Sequence, residues 1–204
     1  MPNLLLQQGT LTNRDRFGQW LNSRGLTNTA AEIGTHRGDF AFEFLRCWKG
    51  KKLICIDPWS DVEGYEKQTE VLQRIMQGCE NRLEDLEEAK RKLKNQVGRV
   101  IFHQATSAEA LPSYPDKFFD FVYIDGDHSY KQVHFDLVHW WDKVKPGGVL
   151  AGHDFICPGE PDGGWGLEIQ PAVVQAAKQF NATINIVVET QSLPWSFYLE
   201  KPNE

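Results

Sequence analysis

The sequence has 204 residues, of which 41% are hydrophobic and 25% are charged, an ordinary composition for a globular protein. A formal net charge of -6 argues against a nucleic-acid-binding surface. The N-terminal residues lack the basic flank and the apolar core of a signal peptide, and no apolar run is long enough to span a membrane. We therefore expect one cytoplasmic domain over residues 1–204 that binds neither nucleic acid nor a membrane.

Helical and strand patterns alternate along the chain, which predicts a doubly wound α/β domain. The expected helices are 13–24, 39–48, 106–111, 130–141 and 171–180. The expected strands are 29–33, 52–56, 99–103, 118–124, 148–152, 184–189 and 196–200. We expect residues 62–96 to form a polar helical insertion of two helices with a break near Gly78, and the alternating charges of 80–94 predict a solvated helix face.

The four cysteines are scattered, with no CxxC pair: Cys47, Cys55, Cys79 and Cys157. Because Cys47 and Cys55 fall in predicted core elements, we expect reduced buried thiols rather than a zinc site or a disulfide framework. The apolar face of the N-terminal helix, with Phe17 and Trp20, could cover a site or contact a second copy of the chain, so a homo-oligomer stays open.

Two acidic clusters follow two predicted buried strands. Asp125, Asp127 and His128 follow the strand 118–124, and His153 and Asp154 follow the strand 148–152. A helix connects these strands, so they are expected to be parallel and both clusters to emerge at one edge of the sheet. That carboxyl edge is where open α/β sheets bind ligands.

A glycine turn marks a second part of this edge. Gly34 and Gly38 bracket the turn between the first strand and its helix, while Glu32 precedes it and suits a cationic or amino group. Asp57 ends the next strand, where an acid can accept both hydroxyls of a ribose. Beyond it, Thr106 and Ser107 are candidates for contact with an adenine edge, and they open a short helix with a capping box.

Five segments together resemble class I S-adenosylmethionine-dependent methyltransferases, more narrowly the branch that contains macrocin O-methyltransferase. They are residues 31–38, 56–59, 123–130, 144–154 and 195–198. The resemblance implies a Rossmann-like sheet of seven strands in the order 3-2-1-4-5-7-6, mainly parallel, with strand 7 antiparallel. It also implies that Glu32, Gly34 and Gly38 line the methionine part of S-adenosylmethionine and that Asp57 holds the ribose.

The acidic clusters suit a divalent cation such as Mg²⁺, because hard cations prefer oxygen ligands. Asp125 and Asp154 would supply carboxylates, and His153 or Asp127 a third ligand; Asp125 would also border the cofactor. Related enzymes have an acidic pair at 153–154, whereas this chain has His153, which favours a softer ion such as manganese, zinc or iron. His128 is a candidate general base, and a base alone could suffice for proton removal.

Other polar and aromatic residues have simpler interpretations. Asp127 or Ser129 could merely cap the following helix, and we expect Trp140 and Trp141 to pack in the core. Trp165 lies in the glycine-rich loop 159–166, and we expect it to contact the substrate. His36 could touch the methionine carboxylate, but we expect it to face solvent, and we expect His103, His134 and His139 to be structural or surface residues.

These features predict an O-methyltransferase that acts on a hydroxyl of a small molecule of the sugar or natural-product type. Two other functions stay open: a non-catalytic module that binds S-adenosylmethionine, and a nicotinamide-dependent oxidoreductase. The absence of a GxGxxG motif and the carboxylate-rich strand ends argue against the oxidoreductase.

Overall fold

The computed structural model describes residues 6–60, 82–156, 166–189 and 194–203. One mixed sheet of eight strands forms its centre: β1 (Leu6–Gln8), β2 (Thr29–Ile33), β3 (Lys52–Asp57), β4 (Val100–Gln104), β5 (Phe119–Ile124), β6 (Val144–Ile156), β7 (Ile184–Val187) and β8 (Trp195–Glu200). The strand order is β1-β7-β8-β6-β5-β2-β3-β4. β8 is antiparallel to both of its neighbours, and the other pairs are parallel.

Within the described ranges, six α-helices connect or flank these strands: α1 (Phe17–Ser23), α2 (Asp39–Cys47), α3 (Arg82–Lys92), α4 (Ser107–Ala110), α5 (Tyr130–Lys143) and α6 (Gly166–Phe180). Short 3-10 turns precede α1 at Arg14–Arg16, follow α3 at Lys94–Gln96 and follow α4 at Leu111–Ser113. None of the helices within the described ranges is both long and apolar enough to cross a membrane.

The predicted order of the seven main strands is confirmed, but the predicted strand number is wrong. An eighth strand, β1, pairs in parallel with β7 at the edge of the sheet. It has only three residues, two of them glutamine, so it carries no alternating pattern and is formed through its pairing with β7. The fifth predicted strand, 148–152, is also too short, because β6 pairs with β5 from Val144 onward across a register shift.

The helix predictions hold with different ends. The N-terminal helix opens as a 3-10 turn capped by Asn13, and Pro171 lies inside α6 rather than at its start. Trp140 and Trp141 are buried, as predicted. Cys55 is buried, but Cys47 is exposed, because it ends α2 on the side that faces away from the sheet.

The charged helix α3 has the predicted solvated face, and it also has a buried one. Residues 61–81, with Gly78 and Cys79, lie outside the described ranges, but α3 buries Asp85, Leu86 and Ala89. These three residues recur at helical spacing. Asp85 and Ala89 face the turn that follows β2, and Leu86 packs in the hydrophobic core. Cys157, Trp165 and nearly all of the predicted glycine-rich loop also lie outside the described residues.

Aromatic side chains pack one face of the sheet where α1 and α2 cover it. The ring of Phe40 stacks on Tyr123 of β5 with centroids 3.8 Å apart, and Phe17 of α1 lies 5.2 Å from Phe121. All four side chains are buried. Burial of rings of this size fixes both helices against β5, and with them the segments that approach the carboxyl edge.

Candidate functional site

The predicted cofactor and chemistry residues lie at the same edge of the sheet. Because β2, β3, β4, β5 and β6 are parallel neighbours, their carboxyl ends are adjacent: Ile33 is opposite both Ile56 and Ile124, and Ile124 is opposite Gly152. Glu32 and Asp57 therefore lie at the same carboxyl edge of the sheet as Asp125 and Asp154.

Gly34 joins the two parts of this edge through its backbone. Its φ of +88° is a conformation that favours glycine, and a Cβ atom at this position would lie 2.2 Å from the carbonyl oxygen of Asp125. The same atom would lie 2.5 Å from the Cα of Gly126. No side chain fits here, so the turn after β2 can pass directly over the turn after β5.

Glu32 carries the most deeply buried carboxyl group of the candidate cofactor residues. It is 2% exposed, and its Oε2 atom has no hydrogen-bond partner among the described residues. Burial raises the pKa of Glu32 well above its usual range, and the nearby charges of Asp125 and Asp57 act in the same direction. A buried acceptor of this kind fits a ligand that brings its own hydrogen-bond donor.

Asp57 holds two turns together. One carboxylate oxygen accepts the backbone N–H of His36 at 2.9 Å, and the other accepts that of Trp59 at 2.8 Å. Trp59 is buried, and its indole N–H donates to the carbonyl of His36 at 2.8 Å. Since a carboxylate has about four acceptor sites, Asp57 retains capacity for a ribose hydroxyl on each oxygen.

The helix α3 supports the glycine turn from the other side. Asp85 is 1% exposed and accepts a hydrogen bond from Nε of Arg37 at 2.7 Å, while Nε2 of His36 lies 3.4 Å from its second oxygen. Gly38 has a φ of +74°, and a Cβ there would lie 3.3 Å from the Cβ of Ala89. The missing side chain of Gly38 thus makes room for α3.

The two candidate adenine contacts use their side chains within the protein. Thr106 caps α4 in a reciprocal capping box with Glu109, as its sequence predicted. The hydroxyl of Ser107 donates to Oδ1 of Asp136 at 2.6 Å, and Gln132 donates to the same oxygen at 2.9 Å. Contact with an adenine would therefore fall mainly to backbone groups of this segment.

Three side chains form the centre of the chemistry part of the site. Donor atoms of Asp125, His128 and Asp154 all lie within 4.8 Å of one another. Nε2 of His128 is 2.9 Å from Oδ2 of Asp154, and Nδ1 of His153 lies 3.2 Å from the same oxygen and 3.7 Å from Oδ1 of Asp125. Asp127, the alternative third ligand, accepts the backbone N–H of Ser129 at 2.7 Å, and Ser129 caps α5.

Opposite charges within this group shift its titration. Burial alone would raise the pKa of Asp154, but hydrogen bonds with His128 and His153 lower it well below its usual range. Burial also disfavours both imidazolium ions, yet the neighbouring carboxylates raise the pKa values of His128 and His153. For Asp125, burial raises the pKa against the opposing charge of His153.

This donor set fits a divalent cation. Two carboxylates and an imidazole form a mixed oxygen and nitrogen set, which suits manganese, zinc or iron better than magnesium. The backbone of Asp154 has a φ of +55°, a left-handed conformation that directs its side chain into the group. A small cavity adjoins these residues, and its lining includes Val133, Ile169 and Phe197.

Sequence reasoning missed Arg14, Trp59 and Asp85. Arg14 lies in the 3-10 turn before α1, and its Nη1 atom is 4.0 Å from Oδ2 of Asp125. A single arginine before a helix gives no local signal of a contact with a strand end more than 100 residues away. The predicted solvent exposure of His36 is confirmed, since its side chain is 45% exposed.

A model of the methyltransferase domain family matches residues 31–155, more than half of the chain. The chain belongs to the methyltransferase-domain family. The predicted resemblance to class I methyltransferases is thereby confirmed, while the narrower macrocin-type branch stays a prediction.

Solved structures share the fold at low sequence identity. An O-methyltransferase from Bacillus cereus in complex with SAH has a TM-score of 0.62 and 17% identity, and the match covers 92% of this chain and 80% of that one. The O-methyltransferase TomG from Streptomyces achromogenes, in complex with SAM, has a TM-score of 0.59 and 16% identity, with 92% and 79% covered.

One curated relative is the uncharacterized protein y4gI of Sinorhizobium fredii (strain NBRC 101917 / NGR234). It is 25% identical over 170 residues, and the match covers 80% of this chain but only 17% of that protein. The chain thus spans about a sixth of the length of this relative.

Proposed function

We propose that this methyltransferase transfers a methyl group from S-adenosylmethionine to a hydroxyl group of a small molecule of the sugar or natural-product type. The observation that carries the proposal is the contact of Gly34 with Asp125 and Gly126, which places the candidate cofactor residues directly beside the carboxylate and imidazole group. Two structural neighbours are O-methyltransferases with SAH or SAM bound, which supports the choice of cofactor and acceptor.

The cofactor residues suit the parts of this ligand. Glu32 offers a buried acceptor without a partner to an amino group, and Asp57 offers free acceptor capacity to the ribose hydroxyls. Gly34 and Gly38 keep the turn between them free of side chains. Bound here, the cofactor would supply a methyl group bonded to a sulfonium sulfur. The neutral thioether that remains after transfer is a good leaving group.

The transfer breaks the bond from the methyl carbon to sulfur and forms a bond from that carbon to the acceptor oxygen, and the hydroxyl proton must leave. His128 is placed to take it, because its imidazole lies at the strand end and is hydrogen-bonded to Asp154. The carboxylate orients the ring and stabilises the imidazolium that forms. His128 can accept the proton only when its imidazole is neutral. Because the neighbouring carboxylates raise the pKa of His128, this requires a higher pH than for an ordinary histidine.

Asp125 and Asp154 would hold a divalent cation together with His128 or His153. Such a cation would lower the pKa of an acceptor hydroxyl and so promote its loss of a proton. His128 cannot use the same nitrogen both as a metal ligand and as a base. If His128 is the base, then His153 is the nitrogen ligand that remains.

Calorimetry with S-adenosylhomocysteine, followed by methyl transfer to a panel of hydroxylated acceptors, tests the proposal. We expect binding of S-adenosylhomocysteine and not of NAD⁺. Asp154→Asn should lower methyl transfer by about 10²–10⁴-fold, in the range of lost acid–base groups, and leave affinity for S-adenosylhomocysteine within a few-fold. Asparagine is the chosen replacement because it tolerates the positive φ of position 154.

Asp116→Asn, at an exposed residue of the same type, is the matched control and should keep full activity. A chelator separates the two routes of proton removal. Loss of activity with the chelator and its recovery with manganese supports the cation, whereas full activity with the chelator leaves His128 as the sole base. Stabilisation of the protein by NAD⁺ alone would contradict methyl transfer.

A further inference from the structure

Arg14 is held at the edge of the site by the helix that follows it. Asn13 caps the 3-10 turn Arg14–Arg16 by accepting the backbone N–H of Asp15 at 2.8 Å. Directly after this turn, the buried ring of Phe17 packs against Phe121 at 5.2 Å. The position of Arg14 is therefore fixed by core packing, although the residue belongs to no strand or long helix.

The guanidinium of Arg14 faces the polar end of β5. Its Nη1 atom is 4.0 Å from Asp125, and it also interacts electrostatically with Tyr123 and Glu189. Glu189 is buried and accepts a hydrogen bond from Ser196 at 2.9 Å. The contact with Asp125 is at the long limit for an ion pair, and Arg14 also forms a side-chain hydrogen bond with Tyr123. These two contacts leave further N–H donors among the five of the guanidinium for a ligand.

Acceptors without a matching donor lie on the other side of Asp125. Oε2 of Glu32 is buried with no partner among the described residues, and the charges of both Asp125 and Arg14 act on this carboxyl group. The turn of Gly34 lies against the backbone of Asp125, and the charge of Asp125 acts on Glu32, so the two acids belong to one part of the edge. The edge thus presents two carboxyl groups beside one guanidinium.

We propose that Arg14 binds the α-carboxylate of the methionine part of the cofactor, while Glu32 and Asp125 accept hydrogen bonds from its ammonium group. An α-amino acid carries these two opposite charges within a few ångströms, and guanidinium is the side chain that matches a carboxylate with two parallel N–H bonds. The inference rests on the proposed function and deepens it, because it makes the amino-acid end a determinant of cofactor selection.

Ligands that differ only at the amino-acid end provide the test. Calorimetry compares S-adenosylhomocysteine, its decarboxylated analogue and 5′-methylthioadenosine, each with the wild-type chain and with Arg14→Ala. We expect Arg14→Ala to weaken S-adenosylhomocysteine about 10- to 100-fold, as for a lost charged hydrogen bond, and to change the other two by no more than about twofold. Arg14→Gln, which keeps most of the side-chain length, should give the same pattern.

Arg16→Ala is the matched control, because Arg16 is the exposed arginine of the same turn and should leave all three affinities unchanged. Equal weakening of all three ligands by both Arg14 variants would overturn the inference and make Arg14 a structural residue. Unchanged affinity for S-adenosylhomocysteine would overturn it as well, with the proposed function intact. Failure of the wild-type chain to bind S-adenosylhomocysteine would instead overturn the proposed function, and this inference with it.

Discussion

The two halves of the candidate site are built from different parts of the chain. In the cofactor half, which comprises Glu32, Gly34 and Asp57, backbone groups fix the geometry: Asp57 accepts two backbone N–H groups, and Gly34 touches the backbone of Asp125. In the chemistry half, which comprises Asp125, His128, His153 and Asp154, side chains contact mainly one another.

The two halves therefore differ in how strongly their geometry depends on the protonation of side chains. A geometry set by backbone contacts and a positive φ depends little on the protonation of neighbouring side chains other than Asp57, so the cofactor half is preorganised for a ligand. The chemistry half depends on charge, because two imidazoles compensate two carboxylates there. A change of pH or a bound cation should therefore affect the chemistry half first.

The largest effect is expected where the two halves touch. Gly34→Ala would place a Cβ 2.2 Å from the carbonyl oxygen of Asp125 at a φ of +88°. Strain at this backbone conformation and the overlap together should lower the free energy of unfolding by about 3–5 kcal/mol, measured by urea denaturation. Gly98→Ala is the control, because Gly98 has a φ of +85° but nothing within 4 Å of a Cβ.

The control should show the cost of the positive φ alone, about 1 kcal/mol. An equal loss in the two variants would mean that the contact between the halves is easily relaxed. In that case the cofactor half would not be fixed by its backbone, and the contrast between the halves would fail.

The two halves also differ in how far sequence predicts them. Glu32 and Asp57 lie at the ends of buried strands that their own local patterns predict, and Gly34 directly follows one, so parallel pairing places them together. Arg14 and Asp85 reach the same region through contacts between distant segments, and a polar residue on a short turn or a charged helix carries no local sign of such a contact. Their roles become visible only once α1 and α3 have packed.

A similar limit applies to the sheet. The order of seven strands was predictable through the family resemblance, whereas β1 depends on pairing with β7, about 180 residues away. Likewise, the charge pattern of 80–94 predicted a solvated helix face but gave no sign that Asp85, Leu86 and Ala89 form a buried face opposite it. A helix that is polar on average can still bury a narrow stripe of residues, which its average composition does not reveal.

The buried hydrogen bond between Ser107 and Asp136 connects the candidate adenine-contact segment to the helix that follows His128. The carboxyl group of Asp136 should make the free energy of unfolding depend on pH. Asp136, on the helix that follows His128, accepts from Ser107, and burial raises the pKa of Asp136 to about 7. An unfolded aspartate has a pKa near 3.9, so between about pH 4 and 7 the folded chain keeps a proton that the unfolded chain loses. Stability from this group is therefore complete below about pH 4 and is lost as the pH rises to about 7.

Asp136→Asn should remove that loss and preserve an acceptor for Ser107. We expect the variant to exceed the wild-type chain in unfolding free energy by up to about 4 kcal/mol at pH 8, with the difference closing toward pH 4. Urea denaturation between pH 4 and 8 measures it. Asp142→Asn, at an exposed position of the same helix, is the control and should show no such trend. A constant difference at every pH would mean that Asp136 is charged throughout this range.

The smallest effect tests whether Asp57 does more than hold the turns. Asp57→Ala should weaken S-adenosylhomocysteine by about 1.5–3 kcal/mol through loss of charged hydrogen bonds to the ribose, measured by calorimetry. Because Asp57 also accepts the N–H groups of His36 and Trp59, part of any loss could come from the displaced turn. The 2′-deoxy analogue separates these causes: a direct ribose contact makes the penalty smaller with this ligand, whereas an equal penalty would show that Asp57 acts only by fixing the backbone.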